Sequence, residues 1–209
     1  FFTGLAFVAL LLMAGKYIAY SGWQTVFKRV WEAYSLFLLP GLVLMAVLVL
    51  GVIFGFHSLY HWNFEGITDP SSPNYDEIIA GKSGFLNQYW YAIGTVVILG
   101  IWYFFARKIR SLSLKEDKVG DGSYSIHFKI KKWAGIFLPI GGFTSAALVW
   151  LWIMSLDAHW YSTLFAWYAT ISLLVAMIAL TILTLLYLKA RGYMQQVHVE
   201  HLHDLVKLL

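Results

Sequence analysis

Five runs of mostly apolar residues divide the chain, and each is about as long as a membrane-crossing helix. The runs cover residues 1–20, 35–56, 86–106, 134–156 and 164–188. A helix needs about 20 apolar residues to cross the roughly 30 Å hydrocarbon core of a bilayer. The pattern therefore predicts an all-α fold in one domain over residues 1–209. We expect a polytopic transmembrane bundle of five spans, in which spans two to five form a four-helix bundle.

The polar segments between the runs alternate in charge. Eight of the 15 Lys and Arg residues lie between Arg107 and Lys132, and the first connection and the segment after the fifth run are also basic. The second connection has four acidic residues and one lysine, and the fourth has no Lys or Arg. Because basic loops stay in the cytoplasm, the first and third connections and the C-terminal end are predicted to be cytoplasmic.

The composition supports a lipid environment and excludes several functions. The chain is 60% hydrophobic and 12% charged, whereas soluble domains are about 25% charged. Its net charge of +4 is concentrated in one loop between two spans, so a nucleic-acid partner is not expected. With no cysteine, the chain has no disulfide, no cysteine-ligated iron–sulfur cluster and no covalent c-type haem of its own.

Two local patterns lead to further expectations. The chain begins inside one apolar run and closes on another, so we expect it to be a portion of a longer membrane protein. After a turn predicted over residues 118–123, Tyr124, Ile126, Phe128 and Ile130 alternate with polar residues. A period of two is typical of a strand with one apolar face, so a short strand is predicted here.

The candidate chemistry lies at the ends of spans two and four. His57 and His61 follow span two, and they share one face if that helix continues. Asp157 and His159 follow span four, with Trp152 and Trp160 on either side. Because these two spans run in the same direction, both clusters are expected at the same membrane depth.

This combination favours a quinol-oxidation site, where polar groups bind the two hydroxyls and accept their protons as electrons leave. His57 or His159 is the predicted proton acceptor, and Asp157 is its predicted orienting partner. The side chains predicted to bind the quinone ring are those of His57, Tyr60, His61, Trp152 and Trp160. Interfacial aromatic belts and helix caps offer a purely structural explanation for the same residues.

Other redox and transport sites are less well supported. A b-type haem needs histidines on facing helices within the membrane, and no histidine lies inside a span. Glu200 and His203 have the Glu-x-x-His spacing of di-iron bundles, but no second copy exists, so no metal site is expected. Mid-span Ser and Thr residues would line a proton path, although hydrogen bonding to their own helix is the commoner role.

Two segments resemble a known family. They are Ser155–Tyr168, with the sequence S-L-D-A-H-W, and His198–Leu205. Both are similar to the second, smaller polysulfide-reductase-type (NrfD-like) membrane subunit of bacterial alternative complex III, commonly called quinone-binding subunit 2. The resemblance covers most of the chain, and S-L-D-x-H-W is its most specific part. Such subunits have about ten helices, so five spans correspond to roughly half of one.

The resemblance implies a subunit of a quinol:cytochrome c oxidoreductase in the bacterial inner membrane, with menaquinol oxidised at the outer end of the bundle. Its implied partners are a related quinone-binding membrane subunit and subunits carrying iron–sulfur clusters and c-type haem, with an oxidase downstream. Two alternatives remain. One is a non-catalytic membrane scaffold, and the other is a proton- or ion-translocating module.

Overall fold

In the computed structural model, which describes residues 1–120 and 122–209, all regular secondary structure is helical. The α-helices are α1 (Phe2–Ile18), α2 (Lys28–Ser35), α3 (Leu38–Phe54), α4 (Glu77–Lys82), α5 (Gln88–Val119), α6 (Ser125–Trp152), α7 (Leu164–Ala190) and α8 (Val199–Val206). Short 3₁₀ helices lie at Trp23–Val26, His61–Asn63 and Met154–Leu156. For the described residues, the predicted all-α fold is confirmed.

The long helices have the dimensions and surfaces of membrane spans. Four helical segments are long and apolar enough to cross a bilayer, namely Lys28–Phe54, Gln88–Val119, Ser125–Leu156 and Leu164–Ala190, and Phe2–Ile18 is apolar but shorter. Large apolar side chains on their outer faces are exposed, among them Val43, Val47, Ile93, Val97, Ile171 and Leu183. Helices that are apolar on every face fit a lipid exterior. The chain is a membrane protein with transmembrane helices.

Helix α1 lies inside the bundle rather than beside it. Helices α3, α5, α6 and α7 pack as neighbours in that order, and α1 contacts α2, α3, α6 and α7. Its residues Val8, Leu10 and Met13 are completely buried. A Cβ on Gly41 of α3 would lie 2.7 Å from Oγ1 of Thr3, so this glycine allows α1 and α3 to approach closely. The four expected spans therefore form one bundle together with α1.

The basic connection between α5 and α6 is shorter than the segment between the two apolar runs, because both helices extend beyond those runs. Helix α5 continues to Val119 and α6 begins at Ser125, so the predicted strand is wrong. Ile126 and Ile130 are four residues apart and buried, whereas Phe128 is exposed. This is helical spacing, because residues four apart share a helix face. Asp121, which belongs to the predicted turn, lies outside the described residues.

Threonine hydroxyls join the helices in the middle of the bundle. Indole N–H groups donate to threonine Oγ1 atoms on neighbouring helices at 2.9 Å in three pairs: Trp31–Thr181, Trp102–Thr144 and Trp152–Thr95. Thr144, Thr170 and Thr181 also donate to carbonyls of their own helices. The predicted back-bonding is confirmed for these three residues. The hydroxyls of Thr144 and Thr181 thus bond both to their own helix and to a neighbouring indole, and that of Thr170 bonds within α7.

The two ends of the bundle differ in charge. We call the end formed by residues 55–87 and 153–163 the acidic end, and the end formed by residues 16–32, 107–120, 122–132 and 189–209 the basic end. Lys82 is the one Lys or Arg residue in the acidic-end segments of the sequence. At the basic end, Lys28 and Arg29 of α2 form ion pairs with Asp117 of α5. Charged contacts therefore join two helices at the basic end.

Candidate functional site

A histidine–aspartate pair stands at the acidic end. Asp76 lies just before α4, and its Oδ1 accepts hydrogen bonds from the backbone N–H groups of Ile78 at 2.9 Å and Ile79 at 3.0 Å. Its other oxygen, Oδ2, lies 2.6 Å from Nε2 of His159. Aspartate is a favoured residue at a helix N-cap because its carboxylate satisfies the free amides of the first turn. The same carboxylate thus holds both α4 and the imidazole of His159.

The surroundings of Asp76 favour its charged form. The hydrogen bond from the backbone N–H of Ile79, assisted by the one from His159, lowers the pKa of Asp76 below its ordinary value. The carboxylate is therefore ionised at neutral pH. An ionised carboxylate beside an imidazole fixes the orientation of the ring and stabilises it when it takes up a proton.

Asp157 and His61 complete the surroundings of His159. Oδ1 of Asp157 accepts a hydrogen bond from the backbone N–H of His159 at 3.2 Å and lies 4.0 Å from its Nδ1. The ring of His61 is centred 6.3 Å from that of His159. The structure thus brings His61, Asp157 and His159 together, as the common depth predicts. The direct partner of the imidazole, however, is Asp76 rather than the predicted Asp157.

His57 lies apart from this cluster. Helix α3 ends at Phe54, and Gly55 adopts a left-handed conformation with φ of +67°, which terminates the helix. The chain then folds back, so that Nε2 of His57 lies 3.3 Å from the carbonyl of Leu48. His57 and His61 would share one face only if the helix continued, and this condition is not met because α3 ends before either residue. His57 instead packs against the end of α3.

Tyr60 and Trp152 are held inside the bundle. The hydroxyl of Tyr60, whose side chain is 3% exposed, lies 3.1 Å from the hydroxyl of Tyr91 and donates to the Trp152 carbonyl at 3.1 Å. Burial raises the pKa of Tyr60 above its ordinary value, so the phenol remains protonated. The indole of Trp152 donates to Thr95. The Tyr60 hydroxyl thus ties the loop after α3 to α5 and α6, and the Trp152 indole ties α6 to α5.

Trp160 lines an open groove beside His159. We call it the aromatic groove, and it is formed by Phe85, Trp150, Met154, Trp160 and Tyr161. It consists of a hollow of about 200 Å³ and an adjoining one of about 310 Å³. Lys82 of α4 borders it, donates to the carbonyl of Ala158 and lies 5.4 Å from the centre of the Tyr161 ring.

The groove contains an unused hydrogen-bond donor. The Nε1 of Trp150 is buried and has no hydrogen-bond partner within the described part of the chain. A buried donor without a partner is uncommon in folded proteins, because its loss of solvation is not compensated. Trp150 and Asp76 are site residues that sequence reasoning missed. Only Asp76 gave a local signal, since an aspartate followed by E-I-I is typical of an N-cap.

A second cavity lies deeper in the bundle. It has a volume of about 340 Å³. Met45 of α3, Val149 of α6 and the first turn of α1 are among the parts of the chain that line it. Trp152 lines it, and none of its lining side chains carries an ionisable group. It offers space for an apolar chain and no group for proton transfer.

Neither a metal-binding group among the described residues nor a match to a known protein family was found. Within residues 1–120 and 122–209, no three His, Asp or Glu side chains are grouped so that they would hold a metal ion. No protein-family model matches the chain, and no curated protein matches it.

Proposed function

We propose that the chain is a membrane subunit of a respiratory quinol:electron-acceptor oxidoreductase of the alternative complex III type. The observation that carries the proposal is the 2.6 Å contact between His159 and Asp76, made by the residue that directly precedes Trp160, which lines the open aromatic groove. His159 belongs to the S-L-D-A-H-W segment that carries the family resemblance. The subunit would bind quinol, accept its protons and anchor the redox subunits.

The quinol head would bind in the aromatic groove. The two hollows together lie within the range of about 300–1,000 Å³ typical of small-molecule sites. The free N–H of Trp150 would donate to one ring oxygen, and Trp160 and Phe85 would flank the ring. The adjoining hollow, which reaches Ser162 and Thr163 before α7, has room for the start of an isoprenoid tail.

His159 would act as the proton acceptor. With Nε2 donating to Asp76, Nδ1 of the neutral ring is free to take a proton from a quinol hydroxyl. The Asp76 carboxylate would stabilise the resulting imidazolium, and the exposed Asp157 would carry the proton on to water. Oxidation of one quinol releases two protons and two electrons, so His159 would act twice in succession. The electrons would pass to iron–sulfur and haem c centres in partner subunits, because this chain has no cysteine.

The proposed topology places this chemistry on the outer side of the membrane. The basic end carries nearly all of the Lys and Arg residues, so it would face the cytoplasm of a bacterium. The acidic end would then face the outside, where the substrate is expected to be menaquinol. The proposed partners there are the related quinone-binding membrane subunit and the iron–sulfur and cytochrome c subunits.

Quinol oxidation by variants of the intact complex tests the proposal. Replacing His159 with Gln is expected to lower turnover about 100-fold, the contribution typical of a general base. The Asp76→Asn variant keeps a helix cap but loses the charge, and it should lower turnover about tenfold. The variant His203→Gln, at the basic end, serves as the control and should retain full activity. Unchanged turnover in His159→Gln, with the complex assembled, would refute the proposed role.

The two alternatives predict different packing. A pure scaffold is expected to fill the space between α3 and α6 with side chains, and here Met45 of α3 borders a cavity of about 340 Å³ that is lined mainly by α1, α6 and α7. A translocating module is expected to have a continuous row of polar groups, whereas Thr144, Thr170 and Thr181 bond to their own helices. Both observations favour the quinol proposal over these alternatives.

A further inference from the structure

A polar cavity at the basic end is separate from the candidate quinol site. It has a volume of about 360 Å³ and lies among the last turn of α1, the connection to α2, the end of α5 and the first turn of α6. We call it the basic-end cavity. The lining residues that matter here are Lys16, Tyr20, Ser21, Gln24, Lys28, Glu116 and His127. Its size is within the range of small-molecule sites.

The cations around this cavity are only partly neutralised. Lys28 is paired with Asp117 at 3.1 Å and with Glu116 at 3.9 Å. Lys16 forms no ion pair with any residue that the structure describes, and Nζ lies 4.5 Å from the centre of the Trp23 ring. The carboxylate of Asp204 in α8 acts on Lys16 electrostatically without pairing with it. The cavity therefore has positive charge available for an anion.

A second cation, Lys131, contacts an aromatic ring that lines the cavity. Nζ of Lys131 lies 3.3 Å from the centre of the Tyr20 ring, and within residues 1–120 and 122–209 this lysine also forms no ion pair. Lysines above aromatic rings near a membrane surface keep their charge accessible while their stems pack on apolar groups. Lys16 thus lines the cavity and Lys131 contacts the ring of Tyr20 in its wall, and neither cation has an acidic partner among the described residues.

Two residues that line the cavity have buried polar atoms without a hydrogen-bond partner among the described residues. These atoms indicate which groups a ligand needs besides a negative charge. Gln24 is 3% exposed, and its Oε1 has no hydrogen-bond partner among the described residues. The Oγ of Ser21 is buried and unpartnered as well. An amide oxygen only accepts hydrogen bonds, so a simple anion would not satisfy it. The missing ligand must therefore combine a negative charge with a hydroxyl or similar donor.

The position of the cavity identifies the source of such a ligand. Tyr20, Trp23 and Tyr124 surround it, and aromatic side chains of this kind gather at the membrane–water interface. Basic pockets between transmembrane helices bind anionic lipid headgroups. We propose that the basic-end cavity binds the headgroup of an anionic glycerophospholipid. The phosphate faces Lys16 and Lys131, and a glycerol hydroxyl donates to Gln24. This inference does not depend on the proposed quinol chemistry.

Lipid retention by the purified full chain tests the proposal. Detergent-solubilised protein is mixed with phosphatidylglycerol or phosphatidylcholine, and bound lipid is counted by native mass spectrometry. We expect phosphatidylglycerol to be retained in preference to phosphatidylcholine. The variants Lys16→Gln and Gln24→Leu should each weaken retention at least about tenfold, the effect of losing one hydrogen bond with a charged or buried group. Lys16→Arg should restore it.

A control variant and a competing anion distinguish a specific lipid site from diffuse attraction and from a site for free anions. Lys115→Gln removes one exposed positive charge from the same end, outside the cavity, and should leave retention unchanged. An equal loss in Lys115→Gln and Lys16→Gln would show diffuse attraction and overturn the proposal. Displacement of the lipid by millimolar inorganic phosphate would show a site for free anions and would also overturn it.

Discussion

The two ends of the bundle use charged residues for different purposes. At the basic end, Lys28 and Arg29 of α2 are paired with Asp117 of α5, and Arg29 also pairs with the buried Glu32. At the acidic end, Asp76 and His159 lie in the segments between helices and pair with each other. At the basic end, ion pairs join helices. At the acidic end, a single ion pair joins two connecting segments.

This difference separates the region that holds the bundle together from the region available for chemistry. Glu32 has a side chain only 1% exposed, and leaving such a group unpaired is strongly unfavourable. His159 is 48% exposed, and it can exchange a proton or a partner without disturbing helix packing. Regions with few buried contacts open more easily, and binding sites often lie in such regions. Substitutions at the two ends should therefore affect stability unequally.

The largest effect on stability is expected from Arg29→Met. The change leaves the buried carboxylate of Glu32 without its cation and breaks the link to Asp117. Breaking a buried pair from one side costs about 3–5 kcal/mol, and partial exposure of Arg29 reduces this to about 2–4 kcal/mol. The measurement is the free energy of unfolding in detergent.

A second substitution distinguishes an unpaired charge from lost packing. Adding Glu32→Gln to Arg29→Met removes the stranded charge and should recover part of the lost stability. Lys115→Met removes an exposed cation at the same end and should have almost no effect, as is usual for exposed charges. If Arg29→Met and Lys115→Met proved equally stable, the basic end would not hold the helices together in this way.

The second prediction compares two tryptophans at the acidic end of α6. Trp152→Phe removes an indole that donates to Thr95, and it should reduce stability by about 1–2 kcal/mol. Trp150→Phe removes an indole N–H that has no partner among the described residues, so it should change stability by less than about 0.5 kcal/mol. Thermal unfolding of both variants provides the measurement. A larger loss in Trp150→Phe would mean that the groove is part of the core rather than a binding surface.

The same apolar pattern shows why some features were predictable and others were not. Each predicted span contains an apolar helix, because the length of an apolar run directly reflects the thickness of the hydrocarbon core. The extension of α5 to Val119 was missed because a charged helix beyond the membrane has no apolar run. The buried position of α1 was missed because a run that is apolar on all faces fits lipid and protein interior equally well.

The candidate site was partly predictable for similar reasons. The depth of His61, Asp157 and His159 followed from the direction of the spans, and the structure brings these residues together. The pairing of Asp76 with His159 joins residues 83 positions apart, and no local pattern indicates which acidic residue of a loop reaches a given histidine. His57 was misplaced because helix termination at Gly55 depends on one backbone conformation.

The smallest expected effect is a pH dependence confined to the acidic end. Because its pKa is lowered by the N–H of Ile79, Asp76 stabilises α4 fully above the ordinary carboxyl pKa of 3.8. That contribution is lost as the pH falls through the lower pKa of the folded state. Hydrogen-exchange protection of the Ile78 and Ile79 amides should therefore drop in acid. In Asp76→Asn, an amide caps the helix at every pH and the drop should disappear. Its persistence in that variant would assign the acid sensitivity to another group, whereas its loss would show that the Asp76 carboxylate caps α4.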